Sequence, residues 1–280
     1  MSETGSTLAS GYQLKKYEDL TIADDFMFCK IMTTYPELCK HLLEIILNVE
    51  IKEIRFPEQQ KTISMTADAK SVRLDVYVND DKHTVYDIEM QTTENPNLPQ
   101  RSRYYQSMID LNTLEKGADY LELPDSFVIF ICTFDCFGLG LPVYTFCNQC
   151  EENNALKLND GTKKIFLNPD SNREELSPDL NAFLDYLQGQ LTRNSFVQTL
   201  DESVKIARRH EKWRLEYMTI EIRDQDKLRQ GKREKAIEMV TAMFQNGIPF
   251  DVVERCASVL SAEELKEIQT RVQNDENIEQ

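Results

Sequence analysis

The chain has 280 residues, with 48 acidic and 32 basic side chains and a formal net charge of −16 at pH 7. Its length allows one large domain or two small ones. The content of 41% hydrophobic and 29% charged residues excludes a chain that is disordered or membrane-embedded throughout. The negative charge argues against non-specific coating of DNA, but it allows a nucleic-acid enzyme whose working face is locally basic or neutralised by a metal ion.

The N-terminal segment and the cysteines indicate a cellular location. Residues 1–11 are polar and begin with an acid where a secretory signal carries basic residues. The longest apolar run, Phe127–Phe134, is far shorter than the roughly 20 residues that cross a bilayer. Seven cysteines without a signal peptide favour reduced thiols. We therefore expect a disordered tail over residues 1–15 and a soluble, cytoplasmic protein that does not enter a membrane.

Two helices are predicted at the start of the folded part. A capping-box-like segment over residues 21–24 precedes an apolar run of helical period that ends at Met32. Pro36 suits a first helical position, and leucines and isoleucines from Leu38 to Leu47 recur on one helical face.

Between Ser71 and Gln91 the hydrophobic period becomes close to two, which is the spacing of half-buried strands. Even-numbered positions are apolar and odd-numbered positions are mostly polar, while residues 79–82 supply turn chemistry. This pattern predicts an antiparallel hairpin with one apolar face and one charged face.

The remaining elements alternate between helices and strands before the chain becomes helical. We predict a helix over Leu98–Lys116 and strands over Phe127–Thr133, Val143–Phe146 and Lys164–Leu167. A further helix is predicted to begin at Ser177-Pro178. A long helical stretch follows from about Phe196 to Gln245, with Gly231 as the only interruption. Two short helices are predicted to close the chain, one after the stop signal at 246–247 and one after the capping box at 261–264. This order indicates an α/β core with a mixed sheet over residues 16–172 and an all-helical extension over residues 173–280.

Two acids lie on the charged face of the predicted hairpin. Asp75 and Glu89 are 14 residues apart, and both are odd-numbered. A turn centred on Asp81 places Asp75 opposite Asp87, whereas a turn centred on Lys82 places it opposite Glu89. Both arrangements keep the Cβ atoms of the two acids within about 5–8 Å, so their carboxylates are within reach of one shared cation.

Such a pair allows two interpretations. Hard oxygen ligands that leave positions for water and phosphate suit Mg²⁺. The alternative, which periodicity alone favours, is the solvated face of an ordinary two-sided sheet.

The segments around these acids resemble a known family. Residues 71–78, followed by Asp87-Ile-Glu89-Met-Gln91, are similar to the Asp…Glu-x-Gln form of the PD-(D/E)XK nuclease signature. The likeness extends to residues 24–28, 97–105, 130–135 and 160–168 and covers roughly residues 17–245. The chain thus resembles the Rpn-type recombination-promoting nucleases, also called PD-(D/E)XK family transposases.

The resemblance implies a restriction-endonuclease-like fold and metal-dependent hydrolysis of DNA phosphodiesters, linked to recombination, mobile elements or defence. It implies that Asp75 and Glu89 hold Mg²⁺ (or Mn²⁺), with the Met90 carbonyl as a third ligand. Gln91 occupies the catalytic position where the superfamily more often has lysine. Because glutamine orients only by hydrogen bonds, deprotonation of water would fall to the metal, and we expect slow or conditional chemistry.

Further residues are candidates for the same site. Asp25, on the first predicted helix, is a candidate for an extra metal ligand. Arg101 and Tyr105 are four residues apart and share a helical face, where they are candidates for binding phosphate or ribose; a solvated arginine beside a half-buried tyrosine is the equal alternative. Arg73 is a candidate for balancing the local acidity.

Two other patterns, in the cysteines and in a basic stretch, have simpler explanations than a binding site. The spacing of Cys132, Cys136, Cys147 and Cys150 allows a four-thiolate zinc site, but their apolar surroundings favour buried free thiols. A basic stretch over residues 205–214 is interleaved with glutamates, which favours an ion-paired helix face over a DNA-binding surface.

Two functions therefore stay open. The first is a DNA endonuclease, and its long helix is compatible with a homodimer. The second is a catalytically weak or inactive interaction protein that keeps the nuclease scaffold and binds partners through its helical arm.

Overall fold

A computed structural model describes residues 15–56, 62–63, 72–173 and 176–278, with only the backbone described for residues 62–63, 72–73 and 275–278. The chain divides into two compact units that meet in sequence at His210 and Glu211. The tail that the sequence predicts to be disordered covers residues 1–15, and only Lys15 of it is among the described residues.

The first unit is a mixed α/β structure. Its helices are α1 (Asp25–Thr34), α2 (Pro36–Leu47), α3 (Leu98–Thr113), α4 (Pro178–Leu187) and α5 (Ser195–Ala207). Its strands are β1 (Ile54–Arg55), β2 (Thr62–Ile63), β3 (Val72–Arg73), β4 (Val76–Asp80), β5 (Val85–Gln91), β6 (Ser126–Cys132), β7 (Val143–Phe146) and β8 (Thr162–Leu167). Helix α3 thus ends three residues before the predicted Lys116.

Six of these strands form one sheet in the order β1-β4-β5-β6-β8-β7. The pairs β5–β6 and β6–β8 are parallel, and the β1–β4, β4–β5 and β7–β8 pairs are antiparallel. The predicted mixed sheet flanked by helices is therefore confirmed.

Helices cover the sheet because its central strands are apolar. Met108 and Ile109 of α3 pack with Val128 and Phe130 of β6 on one face. Since side chains alternate along a strand, Val76 and Ile88 face the other way, and both are fully buried. Helix α1 contacts β4 and β5.

The predicted hairpin is present, but its first arm is broken. Residues 71–78 were expected to form one strand, whereas β3 pairs with β2 in a separate two-stranded ribbon and β4 begins only at Val76. Leu74 and Asp75 lie between the two strands. The break frees the backbone of Asp75 from regular strand pairing.

The helix predicted over residues 196–245 is two helices, because α5 ends at Ala207 and α6 begins at Glu211. The Tyr17 hydroxyl donates to the Ala207 carbonyl at 2.6 Å, and Arg208 Nε donates to the Leu20 carbonyl at 2.7 Å. These bonds fix the end of α5 to the beginning of the first unit.

Helices α4 and α5 belong to the first unit, whereas the sequence suggests a boundary at residue 172. Ser177 caps α4 by accepting the Leu180 N–H at 3.3 Å, as its cap-then-proline order predicts. On α5, the Phe196 ring lies 4.7 Å from the His41 ring of α2. These contacts explain why the unit extends to His210.

The second unit is helical and has its own core. It contains α6 (Glu211–Gln245), α7 (Phe250–Cys256) and α8 (Ala262–Ile278), whose buried apolar residues include Val240, Val253, Leu265 and Ile268. Glu264 N–H donates to Ser261 Oγ at 3.3 Å and Ser261 N–H to Glu264 at 2.7 Å, so the predicted capping box is confirmed. Within the described ranges, no helix is long and apolar enough to span a membrane.

Candidate active site

Asp75 and Glu89 face each other across the hairpin. Val76 pairs with Ile88 and Tyr77 with Asp87, which is the register of a turn centred on Lys82. The Asp75 N–H donates to Glu89 Oε1 at 3.0 Å, and Asp75 Oδ2 accepts the Met90 N–H at 3.3 Å. Of the two registers that the sequence left open, the structure adopts the one that brings these acids together.

The position of Asp75 depends on the break between β3 and β4. Its N–H is available to Glu89 because Asp75 precedes the first residue of β4. Its carbonyl accepts the Cys29 Sγ–H of α1 at 3.0 Å. Three elements therefore fix this residue: β4, the neighbouring β5 and the helix α1.

The charged face of the hairpin is buried instead of solvated. Asp87 is 0% exposed and Glu89 is 3% exposed, because odd-numbered residues of β5 point to the face that α3 covers. The interpretation as an ordinary two-sided sheet therefore fails at these two residues. Burial raises the pKa of the Asp87 carboxyl well above its ordinary value, and the charge of Asp75 adds to this shift. Burial, with Asp87 and then Asp75, likewise raises the pKa of Glu89.

Arg101 of α3 is the cation beside this acidic group. Its Nη2 donates to Glu89 Oε2 at 3.4 Å and to the Tyr105 hydroxyl at 2.9 Å, while Nη1 donates to Gln91 Oε1 at 2.7 Å. The guanidinium carbon lies 5.3 Å from the Tyr105 ring centre and 5.4 Å from the Phe130 ring centre. Stacking and hydrogen bonds together hold the positive charge at Glu89.

Gln91 uses both ends of its amide. Oε1 accepts from Arg101, and Nε2 donates to the Thr93 carbonyl at 2.6 Å. The side chain thus links the end of β5 to α3. It carries no charge and orients its neighbours by hydrogen bonding alone.

The structure places Arg101 and Tyr105 on one face of α3, as their spacing predicts, and this face lies beside the paired acids. The Tyr105 ring stacks on Phe130 with 6.1 Å between the ring centres. The equal alternative of a solvated arginine does not describe Arg101, because its charged end is bonded within the site.

The other candidates occupy different positions. Asp25 is exposed in the first turn of α1, and its Oδ1 accepts the Phe26 N–H at 2.7 Å. It lies one helical turn before Cys29, which contacts Asp75. The backbone of Arg73 belongs to β3, but its side chain lies outside the described residues.

The donor chemistry of the site fits a hard divalent cation. The carboxylates of Asp75 and Glu89 and the Met90 carbonyl, which lies next to Glu89 in β5, supply oxygen ligands. Neither carboxylate oxygen of Asp87 accepts a hydrogen bond from an N–H or O–H of the described residues. In the same part of the chain, no three His, Cys, Asp or Glu side chains are already arranged to hold an ion.

Asp87 lies among the candidate site residues, although the sequence did not predict it to be one of them. Its odd number placed it on the face of Asp75 and Glu89, which is the only signal that the sequence offered. Its complete burial follows from the cover that α3 provides, which periodicity in the hairpin does not reveal.

The four cysteines considered as zinc ligands do not share one environment. Cys132 is buried and its Sγ lies 3.5 Å from that of Cys136. Cys150 donates to Glu152 at 3.0 Å. Cys147 is exposed, contrary to expectation, because it follows the exposed end of the edge strand β7.

Comparison with known protein families agrees with the α/β fold. The class is that of the PD-(D/E)XK nucleases, since the model of the PD-(D/E)XK nuclease family transposases matches residues 23–236. As this match covers more than half of the sequence, the chain belongs to that family. Its α/β fold is accordingly restriction-endonuclease-like, with a helical C-terminal region. Neither a curated protein nor a solved structure matches the chain.

Proposed function

We propose that the protein is a metal-dependent endonuclease that hydrolyses phosphodiester bonds of DNA. The observation that carries the proposal is the reciprocal pairing of Asp75 and Glu89, in which each carboxylate accepts a backbone N–H from the opposite strand. This pairing aligns two hard-oxygen ligands on a family-typical nuclease sheet. A role in recombination, mobile-element movement or defence follows from the family and belongs to the same proposal.

The proposed metal ligands are the carboxylates of Asp75 and Glu89 and the Met90 carbonyl, with Mg²⁺ or Mn²⁺ as the ion. Asp25 is proposed as an additional acid on α1. When bound, such an ion lowers the pKa of water and stabilises negative charge on phosphate oxygens. The chain itself holds the two carboxylates in register, and Arg101 keeps positive charge at Glu89.

Arg101, Tyr105 and Arg73 are proposed to contact the DNA backbone. The guanidinium of Arg101 has a planar fork that matches a phosphate. Its side chain is 28% exposed whereas that of Glu89 is 4% exposed, so Arg101 lies between the buried acid and solvent. This placement suits a group that meets a phosphate at the mouth of the site. Gln91 is proposed to orient Arg101 through its amide oxygen.

A scaffold without catalysis is the second candidate function. Its support is the engagement of Gln91, whose amide bonds both Arg101 and the Thr93 carbonyl where a lysine would supply a charge. In this alternative Arg101 permanently neutralises Glu89. The helical second unit would then bind a partner.

Plasmid cleavage with Mg²⁺ or Mn²⁺ separates the two candidates. Asp75→Asn and Glu89→Gln keep the shape of the side chains and remove their charges. We expect cleavage by the wild-type protein and a loss of about 100-fold or more in each variant. Asp81→Asn is the matched control, because it removes the same charge from the exposed tip of the hairpin.

Cleavage that survives both substitutions contradicts the assigned site. No cleavage by the wild type with either metal, on supercoiled, linear or single-stranded DNA, favours the scaffold.

A further inference from the structure

Asp87 is a buried acid without the hydrogen bonds that buried acids usually have. It is 0% exposed, and among the described residues no donor reaches Oδ1 or Oδ2. A buried polar group without a partner costs about 1–3 kcal/mol, and a charged one costs more. Such a group calls for a specific explanation.

Asp80, in the same hairpin, shows what a structural buried acid looks like. It is 6% exposed, but its carboxylate accepts the N–H groups of Lys82 and Thr84 at 2.9 and 2.8 Å and the Tyr86 hydroxyl at 2.8 Å. These three hydrogen bonds account for the burial of the Asp80 carboxylate. Asp87 has no such set of donors.

The groups around Asp87 are those of the candidate active site. Its carboxyl lies within hydrogen-bonding reach of the Glu89 carboxyl and is close enough to feel the charges of Asp75 and Arg101. The guanidinium of Arg101 donates its hydrogen bonds to Glu89, Gln91 and Tyr105. Two carboxyl groups at this separation are joined by a shared proton in the metal-free protein and by a cation when one is bound.

We propose that Asp87 is a further carboxylate ligand of the divalent cation held by Asp75 and Glu89. The inference rests on the proposed function and adds a residue to it. When a bound ion displaces their protons, the three carboxylates and the guanidinium of Arg101 have a summed charge of −2, which one divalent cation neutralises. The ion also supplies the partner that the oxygens of Asp87 lack.

Binding of Mn²⁺ or Mg²⁺ to the full-length protein, measured by calorimetry without DNA, tests this assignment. Asp87→Asn preserves the side-chain volume and removes the charge. We expect it to weaken divalent-ion binding at least tenfold. Asp81→Asn is the charge-matched control and should bind as the wild type does.

The outcomes distinguish the two proposals. If Asp75→Asn and Glu89→Gln abolish binding while Asp87→Asn binds as the wild type does, the assignment of Asp87 is overturned and the proposed function stands. A wild-type protein that binds neither ion overturns both proposals.

A crystal of the wild type grown with Mn²⁺ supplies a test that needs no variant. The anomalous signal locates the ion, and we expect a carboxylate oxygen of Asp87 at about 2.1–2.2 Å from it. An ion bound to Asp75 and Glu89, with Asp87 beyond coordination distance, refutes the assignment.

Discussion

The backbone N–H of Asp75 donates to the carboxylate of Glu89, and the carboxylate of Asp75 accepts the N–H that follows Glu89 in the chain. Each acid is thereby oriented by the main chain of the other strand. The Met90 N–H is fixed by the sheet, whereas the Asp75 N–H lies in the bend before β4, so the two hydrogen bonds join that bend to β5. The surrounding residues adjust charge and access, and these roles can be tested one at a time.

Arg101 is expected to stabilise the metal-free protein. Arg101→Ala removes the cation from Glu89 and the stacking on Tyr105 and Phe130. Because it leaves a buried acid without its counter-ion, we expect the free energy of unfolding to fall by about 1–3 kcal/mol in urea denaturation with EDTA present. Arg103→Ala removes an exposed charge from the same helix and should change stability by less than about 0.5 kcal/mol. Equal effects of the two substitutions would contradict the role assigned to Arg101.

Restoring the superfamily lysine is expected to damage this site. Gln91→Lys replaces the acceptor of Arg101, now at 2.7 Å, by a second cation. We expect the free energy of unfolding to fall by about 1–2 kcal/mol, without a gain in cleavage. The double variant Gln91→Lys/Arg101→Gln keeps one cation and one neutral acceptor, so it should recover most of the lost stability. Faster cleavage by Gln91→Lys alone, at unchanged stability, would show that Arg101 does not constrain this position.

Glu44 gives a prediction for acid stability. Burial alone would raise its pKa, but the Ile51 N–H at 3.0 Å and Lys40 at 2.9 Å outweigh burial and lower the pKa below its ordinary value. A lowered carboxyl pKa stabilises the folded state above the unfolded pKa, and this contribution is lost as the pH falls from about 5 towards 3.

Glu44→Gln is the matching variant, since its amide oxygen can still accept the Ile51 N–H. We expect it to be less stable than the wild type by up to about 1 kcal/mol at pH 7 and equally stable near pH 3. The check is chemical denaturation across this pH range. A difference that grows on acidification would have the wrong sign.

Gly161 is expected to be required at the start of β8. Its φ is +74°, and a Cβ atom there would overlap the Asp125 carboxylate. Gly189 also has a positive φ, of +82°, but no atom of the described residues lies within 4 Å of the place that a Cβ atom would occupy. We therefore expect Gly189→Ala to cost about 1 kcal/mol and Gly161→Ala to cost at least about 1 kcal/mol more, as measured by thermal denaturation. Similar costs at both positions would show that Asp125 moves aside freely.

The sequence predicted the elements of the core because local signals there agree with the tertiary structure. Alternation between Val72 and Gln91 specified the hairpin, and the cap at Ser177 specified the start of α4. The same alternation left two registers open, because the turn between Asn79 and Lys82 allows either centre. The observed register is the one in which Val76 pairs with Ile88 and Tyr77 with Asp87.

Other features depended on contacts that are distant in sequence. The end of α5 at Ala207 follows from its bond with Tyr17, which no helical pattern contains. The burial of Asp87 requires α3, more than ten residues further along the chain. Periodicity placed the acids on one face, but it did not show that this face is covered.

The location of Glu89 on β5 has a consequence for motion. β5 is hydrogen-bonded along both edges, to β4 and to β6, so the amides of Ile88 and Glu89 can exchange with solvent deuterium only when the sheet itself opens. Asp75 instead lies in a bend between two strand pairs. Glu89 is therefore held in place until the sheet itself opens. Local opening of the acidic pair begins instead at the bend that carries Asp75.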